Sequence, residues 1–358
     1  MDPMKTPAAD DEPATPAELA RYERQIRFAP LGIEGQRRLA ASSALLCGCG
    51  ALGSHVADLL VRAGIGRLKI VDRDFLELSN LQRQTLFDEQ DLADELPKAV
   101  AAATRLARIN SQVTIEPIVA DVDYRNIAEL AAGVDLILDG TDNFETRYLI
   151  NDFAVRESIP WIFAGVVGAA GQTMTILPGE TACLRCLMPE PPPAGDAQTC
   201  ETAGILGPAV GVIASIEASE ALKILSGNRA AASRSLAVVD LWDNRLRHVD
   251  LAGLPDRVDC PACRRGEFAW LSGARADRHA VLCGRGAVQL TPPDRRDWDL
   301  AALAPRLAAV GRVSRNRYLL RLAVEGYQLT LFPDGRAIIS GTDDVAQARA
   351  VYARYIGH

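Results

Sequence analysis

Short apolar runs alternate with longer stretches of helical spacing along most of the chain. The runs predict strands at residues 43–47, 68–72, 113–118, 134–139 and 160–164. The segments between them, such as 54–63, 97–109 and 143–156, show the apolar spacing of helices. Strands that alternate with helices indicate an α/β fold, in which a mainly parallel sheet is covered by helices on both faces.

The pattern changes after about residue 172. Residues 174–177 and 237–241 are typical of strands in a more antiparallel extension, and residues 211–225 of an apolar helix. The last segment has the order strand, helix, strand, strand, helix, which predicts a small α+β domain. The expected strands span residues 280–290, 318–332 and 336–340, and the expected helices span 299–309 and the residues from a cap at Asp343 or Asp344 to 356. We therefore divide the chain into a disordered tail (1–18), a large domain (19–271), a linker (272–279) and the small domain (280–358).

Composition and charge exclude several classes of function. The chain has 39 Lys and Arg against 46 Asp and Glu, a net charge of −7, so a general polyanion-binding surface is not expected. Aromatic residues make up 5%, too few for a platform that stacks single-stranded bases. There is no uninterrupted apolar run of about 18 residues and no signal-peptide pattern. We expect a cytoplasmic protein that binds neither nucleic acid nor membrane.

A glycine-rich turn connects the first predicted strand to a helix. Gly48, Gly50 and Gly53 form the pattern G-x-G-x-x-G, whose glycines allow the backbone to approach a phosphate at the helix N-terminus. Asp72 ends the next predicted strand, where its carboxylate can accept hydrogen bonds from ribose hydroxyls. The turn predicts a nucleotide site, and at this point both ATP and a nicotinamide dinucleotide remain candidates.

Cationic residues favour ATP over the dinucleotide. Arg24, Arg83 and Lys98 supply more positive charge than a dinucleotide needs. Together they can offset the negative charge of a triphosphate. Asp142 follows the strand at 134–139, at the edge of the sheet where ligands bind, and can hold Mg²⁺. Taken singly, each has an alternative, because Asp142 can cap a helix and the cations can be surface charges.

Two pairs of cysteines have the spacing of metal-binding knuckles. Cys183 and Cys186 form one C-x-x-C motif, and Cys260 and Cys263 form another. Four thiolates give a closed tetrahedral site, which predicts a structural zinc ion. Cys200 precedes an apolar helix, where a thiol can have a lowered pKa and attack an activated acyl group; the alternative is a bystander thiol.

Taken in order, these motifs resemble those of the ThiF/MoeB/HesA adenylyltransferases, bacterial relatives of the ubiquitin-activating enzymes. The resemblance covers residues 19–270 and rests on R-Y-x-R-Q, G-x-G-x-x-G-S, V-D-x-D, L-S-N-L-Q-R-Q, L-P-K and T-D-N. It implies a Rossmann-like sheet with paired zinc knuckles. It also implies that ATP is the co-substrate and that AMP is attached to the terminal carboxylate of a β-grasp sulfur carrier ending in Gly-Gly, with release of pyrophosphate.

The resemblance also implies roles for individual residues beyond the glycine loop and the ribose-binding Asp72. Asn80, Arg83 and Lys98 correspond to contacts with phosphate and the transition state, and Asp142 to the magnesium-linked aspartate. Arg24 corresponds to an arginine supplied by the neighbouring subunit, which implies an obligate homodimer with shared sites.

Two positions depart from the family pattern. Glu95 stands where relatives often have Gly, and Gly140 stands where some have Cys; neither is an expected ligand. Relatives carry a cysteine at the position of Cys200, which in some is covalently linked to the carrier.

The carrier itself is the least determined feature. The region around Cys200 favours a ThiS-like carrier of thiamine thiazole biosynthesis, and a MoaD-like carrier of molybdopterin biosynthesis is the alternative. The small domain is too short for a rhodanese domain, so we expect a separate sulfur donor. An NAD-dependent oxidoreductase and a non-catalytic scaffold that binds the carrier are the remaining alternatives.

Overall fold

The structure, a computed structural model, describes residues 19–192, 203–275, 279–282, 286–291 and 298–357. The predicted tail, residues 276–278 of the predicted linker and Cys200 lie outside the described residues. The described residues fall into two compact units, one within 1–191 and 206–268 and the other within 192–205 and 269–358. The domain boundaries at residues 271 and 280 stay a prediction.

The first unit is built on one eight-stranded sheet. Its strands are β1 (Ser43–Cys47), β2 (Arg67–Val71), β3 (Thr114–Ile118), β4 (Leu136–Asp139), β5 (Trp161–Val167), β6 (Ala170–Ile176), β7 (Ser235–Asp240) and β8 (Arg245–Asp250). Their order is β3-β2-β1-β4-β5-β6-β7-β8. Neighbours from β3 to β5 pair in parallel and those from β5 to β8 antiparallel, which confirms the predicted fold class.

Helices of the first unit connect and cover these strands. They are α1 (Glu23–Ile26), α2 (Gly32–Ala41), α3 (Ala51–Ala63), α4 (Glu89–Ala93), α5 (Lys98–Ile109), α6 (Ile127–Leu130), α7 (Phe144–Glu157), α8 (Leu184–Leu187), α9 (Gly207–Leu225) and α10 (Leu254–Arg257). Short 3-10 turns lie at Ala20–Tyr22, Leu78–Asn80 and Arg229–Ala231. Helix α9 begins four residues before its predicted start, because Pro208 suits a first helical turn.

Strand β1 lies inside this sheet, between β2 and β4, and all five of its residues are buried. The chain leaves β1 for β2 and β3 on one side and returns to β4 and β5 on the other. Strand order therefore reverses between β1 and β4, which is where open α/β sheets bind their ligands.

The second unit is an antiparallel sheet with two helices. Its strands are β9 (His279–Leu282), β10 (Ala287–Leu290), β11 (Arg312–Arg315), β12 (Leu320–Val324), β13 (Tyr327–Leu331) and β14 (Ala337–Ser340), and its helices are α11 (Leu300–Ala308) and α12 (Val345–Tyr355). The strand order is β11-β12-β13-β14-β10-β9. Leu320, Leu322, Leu329 and Ile339 are fully buried in its core.

The predicted element order of the second unit was too simple. The single strand expected across residues 318–332 is a hairpin that turns at Glu325 and Gly326, both with positive φ. The strand expected across 280–290 is likewise two paired strands, and β11 was not predicted. Asp344, one of the two predicted caps, is the residue that caps α12. No helix among the described residues combines the length and the apolar character that a membrane span requires.

Candidate active site and cysteine cluster

The glycine turn after β1 packs directly against the turn after β4. Gly48 has φ +89°, and a Cβ on it would lie 2.6 Å from the carbonyl oxygen of Gly140. A Cβ on Gly140 would lie 2.2 Å from the Gly48 oxygen, and one on Gly53 would lie 2.0 Å from that same oxygen. The departure at Gly140 therefore has a structural reason, because only glycine lets these two turns meet.

Asp72 joins the glycine turn to the segment that follows β2. Its carboxylate accepts hydrogen bonds from the backbone N–H groups of Cys49 and Asp74, each at 2.6 Å. Burial raises the pKa of Asp72, and the positive charge of Lys98 acts in the opposite direction. The predicted ribose ligand therefore lies beside the glycine turn, at the same edge of the sheet.

Lys98 is the first residue of α5 and is only 3% exposed. Its Nζ lies 3.2 Å from an oxygen of Asp74. This burial excludes the alternative that Lys98 is a solvated surface residue of the helix. The buried ammonium group is held near the turn by the residue that also contacts Asp72.

The segment from Asn80 to Gln84 also reaches the glycine turn. Asn80 is buried, and its Oδ1 accepts a hydrogen bond from the Glu77 N–H at 3.1 Å. Arg83 donates to the Ser79 carbonyl at 2.8 Å. Gln84 is 4% exposed, and its Nε2 would lie 3.9 Å from a Cβ on Gly50. Its Oε1 is buried and has no hydrogen-bond partner within the part of the chain that the structure describes, and no motif in the sequence marks this feature.

Asp142 lies exposed in the turn between β4 and α7. The cap of α7 is Asn143, whose side chain accepts from the Thr146 N–H at 2.8 Å, so Asp142 is not the helix cap. Asp142 acts electrostatically on Arg73, whose guanidinium also binds Asp121 at 2.5 Å. Burial acts to lower the pKa of Arg73, but the carboxylates of Asp121, Asp74 and Asp142 together outweigh it and raise that pKa. Arg73 was not predicted as a site residue, because in the sequence it is only the variable position of V-D-x-D.

A buried ion pair fixes the turn that carries Asp142. Arg147 Nε donates to Asp139 Oδ2 at 2.9 Å, and Arg147 Nη2 donates to the Thr141 carbonyl at 2.7 Å. Asp139 is fully buried, and its Oδ1 also accepts from the Thr141 N–H at 2.9 Å. The backbone on the N-terminal side of Asp142 is thus held from both a strand and a helix.

Arg24 does not join this site within one chain. It is exposed on α1, next to residues anchored at the far end of α3. Gln25 donates to the Ala63 carbonyl at 2.9 Å, and the Tyr22 ring packs against Gly64. Because α3 begins at the glycine turn and its thirteen residues span about 20 Å, Arg24 lies farther from its own turn than its side chain can reach.

The four knuckle cysteines converge at a separate place. Their Sγ atoms all lie within 4.8 Å of one another, including Cys183–Cys260 at 3.5 Å and Cys186–Cys263 at 3.3 Å. Zinc bound tetrahedrally to four thiolates at about 2.3 Å requires sulfur pairs about 3.8 Å apart. The cluster therefore fits a zinc ion, as the paired motifs predict.

Helix α7 also anchors the first knuckle. Arg185, between the two cysteines, donates to the fully buried Asp152 at 3.1 Å and to the Glu267 carbonyl at 2.8 Å. Asn151 Oδ1 accepts from the Leu184 N–H at 2.9 Å. The knuckle is thus attached to the helix whose first turn follows Asp142.

Comparison with known proteins identifies the family. The ThiF family matches residues 22–262, more than half of the chain. The Sulfur carrier protein ThiS adenylyltransferase of Bacillus subtilis is 44% identical over 338 residues, which are 94% of this chain and 99% of that protein. The SAMP-activating enzyme E1 of Haloferax volcanii is 39% identical over 249 residues, 70% of this chain and 90% of that protein.

A solved structure shows the same fold. Escherichia coli MccB with ATP superposes with a TM-score of 0.59 at 22% identity, covering 68% of this chain and 74% of that chain. The sequence relatives show that the chain is an adenylyltransferase, and it belongs to the ThiF family.

Proposed function

We propose that this chain transfers AMP from ATP to the C-terminal carboxylate of a ubiquitin-like, β-grasp sulfur carrier that ends in Gly-Gly, and that the carrier is ThiS-like. The observation that supports this most is the meeting of the glycine turn, Asp72, Lys98 and the Asp142 turn at the point where strand order reverses. A nicotinamide dinucleotide would account for the glycines and Asp72, but not for the buried cation of Lys98.

The reaction needs positioning and charge rather than proton transfer. The carrier carboxylate is already anionic and attacks the α-phosphorus; a new P–O bond forms, the bond to the β-phosphate breaks, and pyrophosphate leaves. Backbone N–H groups of the glycine turn bind phosphate, and Asp72 binds the ribose. Asn80, Arg83 and Lys98 contact the phosphates and stabilise the charge that develops in the transition state.

Two metal ions belong to this proposal. Asp142 would bind Mg²⁺, which supplies positive charge to the phosphate oxygens. The four cysteines would bind zinc, whose closed coordination makes it structural. Cys200 and the separate sulfur donor stay predictions, since Cys200 lies outside the described residues.

The position of Arg24 supports a homodimer with shared sites. Its anchoring at the far end of α3 keeps Arg24 from its own glycine turn. A second copy of the chain would provide this arginine.

The extent of similarity supports a ThiS-like carrier. The Bacillus relative, whose name specifies ThiS, is similar along 94% of this chain and so includes the second unit. The Haloferax relative is similar along 70%.

The direct test is exchange of labelled pyrophosphate into ATP, with a ThiS-like and a MoaD-like carrier offered separately. We expect exchange with the ThiS-like carrier, and none when its Gly-Gly end is removed or when the enzyme carries Asp142→Asn. Exchange with the MoaD-like carrier alone would instead assign the chain to molybdopterin biosynthesis. ATP binding without exchange on either carrier would favour the scaffold, and tight NAD binding without ATP binding would favour the oxidoreductase.

Mixing two inactive variants tests the shared site. In a heterodimer of Arg24→Ala and Asp142→Asn, one site receives both native residues. Equal mixing should therefore restore about a quarter of wild-type activity, because half of the dimers are mixed and each has one complete site. No recovery in mixtures shown to exchange subunits would contradict the role of Arg24 in the partner's site.

A further inference from the structure

Glu217 is a buried acid that the proposed reaction leaves without a role. It lies on α9 and is fully buried. Its Oε1 accepts a hydrogen bond from the backbone N–H of Asp139 at 3.2 Å, at the end of β4. Its Oε2 is buried without a partner among the described residues. An unsatisfied buried oxygen costs free energy that an apolar side chain would avoid, so packing alone does not account for a carboxyl group here.

The surroundings of Glu217 favour its uncharged form. Burial raises its pKa well above the ordinary value, and the Asp139 carboxylate on β4 raises it further. The hydrogen bond from Asp139 and the positive charge of Arg147 on α7 act in the opposite direction. This balance favours the protonated form of Glu217, for which glutamine is a close substitute in shape and charge.

The turns that follow β1, β2 and β4, together with residues 80–84, form what we call the nucleotide edge. Helix α9 contacts this edge at Asp139 through Glu217 and at a second place through Gly207. A Cβ on Gly207, its first residue, would lie 3.2 Å from the Gln82 carbonyl and 3.9 Å from the Arg83 side chain. Glu217 follows ten residues later, about 15 Å along the helix. One rigid helix therefore borders both the segment of Arg83 and the end of β4, which leads into the Asp142 turn.

We propose that Glu217 is a positioning residue for Asp142: it holds the end of β4 from α9 and so places the Asp142 carboxylate against the metal-bound phosphates. This inference rests on the proposed function, because it concerns the magnesium-linked aspartate. Asp139 is the direct link, since its N–H binds Glu217 while its carboxylate binds Thr141 and Arg147. Glu217 itself touches neither substrate nor metal.

Calorimetric titration of ATP into the full chain, with and without Mg²⁺, tests this role without any carrier. Glu217→Met removes the hydrogen bond while it keeps the length of the side chain. We expect it to weaken ATP binding in the presence of Mg²⁺ by about tenfold, because a displaced ligand turn loses alignment. Binding without Mg²⁺ should stay within about twofold, because the glycine turn is unchanged. Glu217→Gln, which keeps the acceptor, should bind like wild type in both conditions.

Glu220 provides the control on the same helix. It is 6% exposed and accepts from Thr175 Oγ1 at 3.0 Å and from the Ser233 N–H at 2.7 Å, away from the nucleotide edge. Glu220→Met should lower the melting temperature and leave the effect of Mg²⁺ unchanged.

Several outcomes would overturn the positioning role. They are wild-type Mg²⁺ dependence in Glu217→Met, equal impairment in Glu217→Gln, or failure of Glu217→Met to fold, which would show that the residue serves the fold. A wild-type chain that does not bind ATP at all would instead contradict the proposed function, so the two failures are distinguishable.

Discussion

Helix α7 borders two regions that are built in opposite ways. At its first turn Arg147 pairs with Asp139 of the sheet and fixes the Asp142 turn. In its middle Asp152 pairs with Arg185 of the first cysteine knuckle. Both carboxylates are fully buried, but at the nucleotide edge the helix supplies the cation, and at the cysteine cluster it supplies the anion.

The two regions also differ in what determines their shape. The nucleotide edge is formed by backbone turns that directly follow β1, β2 and β4, so consecutive residues define it. The cysteine cluster is formed by side chains 77 residues apart, such as Cys183 and Cys260. We therefore expect a side-chain change at the edge to weaken ATP binding, with or without a loss of stability, and a change at the cluster to weaken metal retention together with stability.

The largest effect is expected at the cluster. Cys260→Ser should lose the metal and destabilise the first unit by about 4 kcal/mol or more, because metal loss belongs to the most damaging class of change. Metal content by mass spectrometry and thermal unfolding measure this. Cys49→Ala, outside the cluster, should keep its metal; a metal-replete, stable Cys260→Ser would contradict the comparison.

Breaking either of the two buried ion pairs should lower stability by a similar amount, but the two changes should impair different functions. Arg185→Met and Arg147→Met should each cost about 3–5 kcal/mol, because each leaves a buried carboxylate unpaired. Only Arg185→Met should weaken metal retention, and only Arg147→Met should weaken ATP binding in Mg²⁺. Metal content and calorimetric titration of ATP should be measured on both variants. If both variants lose metal and ATP affinity alike, the two ion pairs do not serve different regions.

A smaller effect on stability is expected where the two turns meet. Gly140→Ala places a Cβ 2.2 Å from the Gly48 carbonyl oxygen, so the turns must separate. We expect a cost of about 1–3 kcal/mol and a loss of ATP affinity of about a hundredfold. Gly50→Ala, whose Cβ meets only Gln84 Nε2 at 3.9 Å, should fold as stably as wild type by thermal unfolding. Unchanged ATP affinity in Gly140→Ala would be evidence against the contact.

The smallest effect concerns Glu95, which has φ +50°. Glu95→Gly should raise stability by about 0.5 kcal/mol, because glycine relieves the left-handed conformation and offsets its own entropic cost. Chemical denaturation measures the difference. Glu95→Ala keeps the left-handed backbone strain, so it should not be more stable than wild type. If Glu95→Ala gains as much stability as Glu95→Gly, relief of backbone strain is not the cause of the gain.

The sequence predicted best what its consecutive residues determine. Strand β1 matches its predicted range, and α5 begins one residue after its predicted start, because buried runs and a proline boundary are local signals. Strand β8 was missed because all six of its residues are exposed and no apolar alternation marks them. The turn at Glu325 and Gly326 was missed because it lacks the usual Asn-Gly or Asp-Gly signal.

Site residues followed the same rule. Motif spacing predicted Asp72 and Lys98 as ligands, and the structure brings them to one edge; it also predicted the four cysteines, which the structure brings to one cluster. Arg147 and Glu217 were not identified, because a polar residue within a helical pattern shows its importance only through contacts with distant segments.

The separation of the two knuckles has a consequence for synthesis on the ribosome. Cys183 is made 77 residues before Cys260, and strands β1 to β6 all precede Cys183 in the chain. At roughly 5–20 residues per second, about 4–15 s pass between the first cysteine pair and the second. The segment from Gly48 to Asp142 is therefore already synthesised while the cysteine cluster still lacks half of its ligands. At the proposed zinc site, metal loading would follow synthesis of the second pair, and scarcity of zinc in the cell would act on a chain whose first unit is synthesised but lacks the stabilisation that the metal would supply.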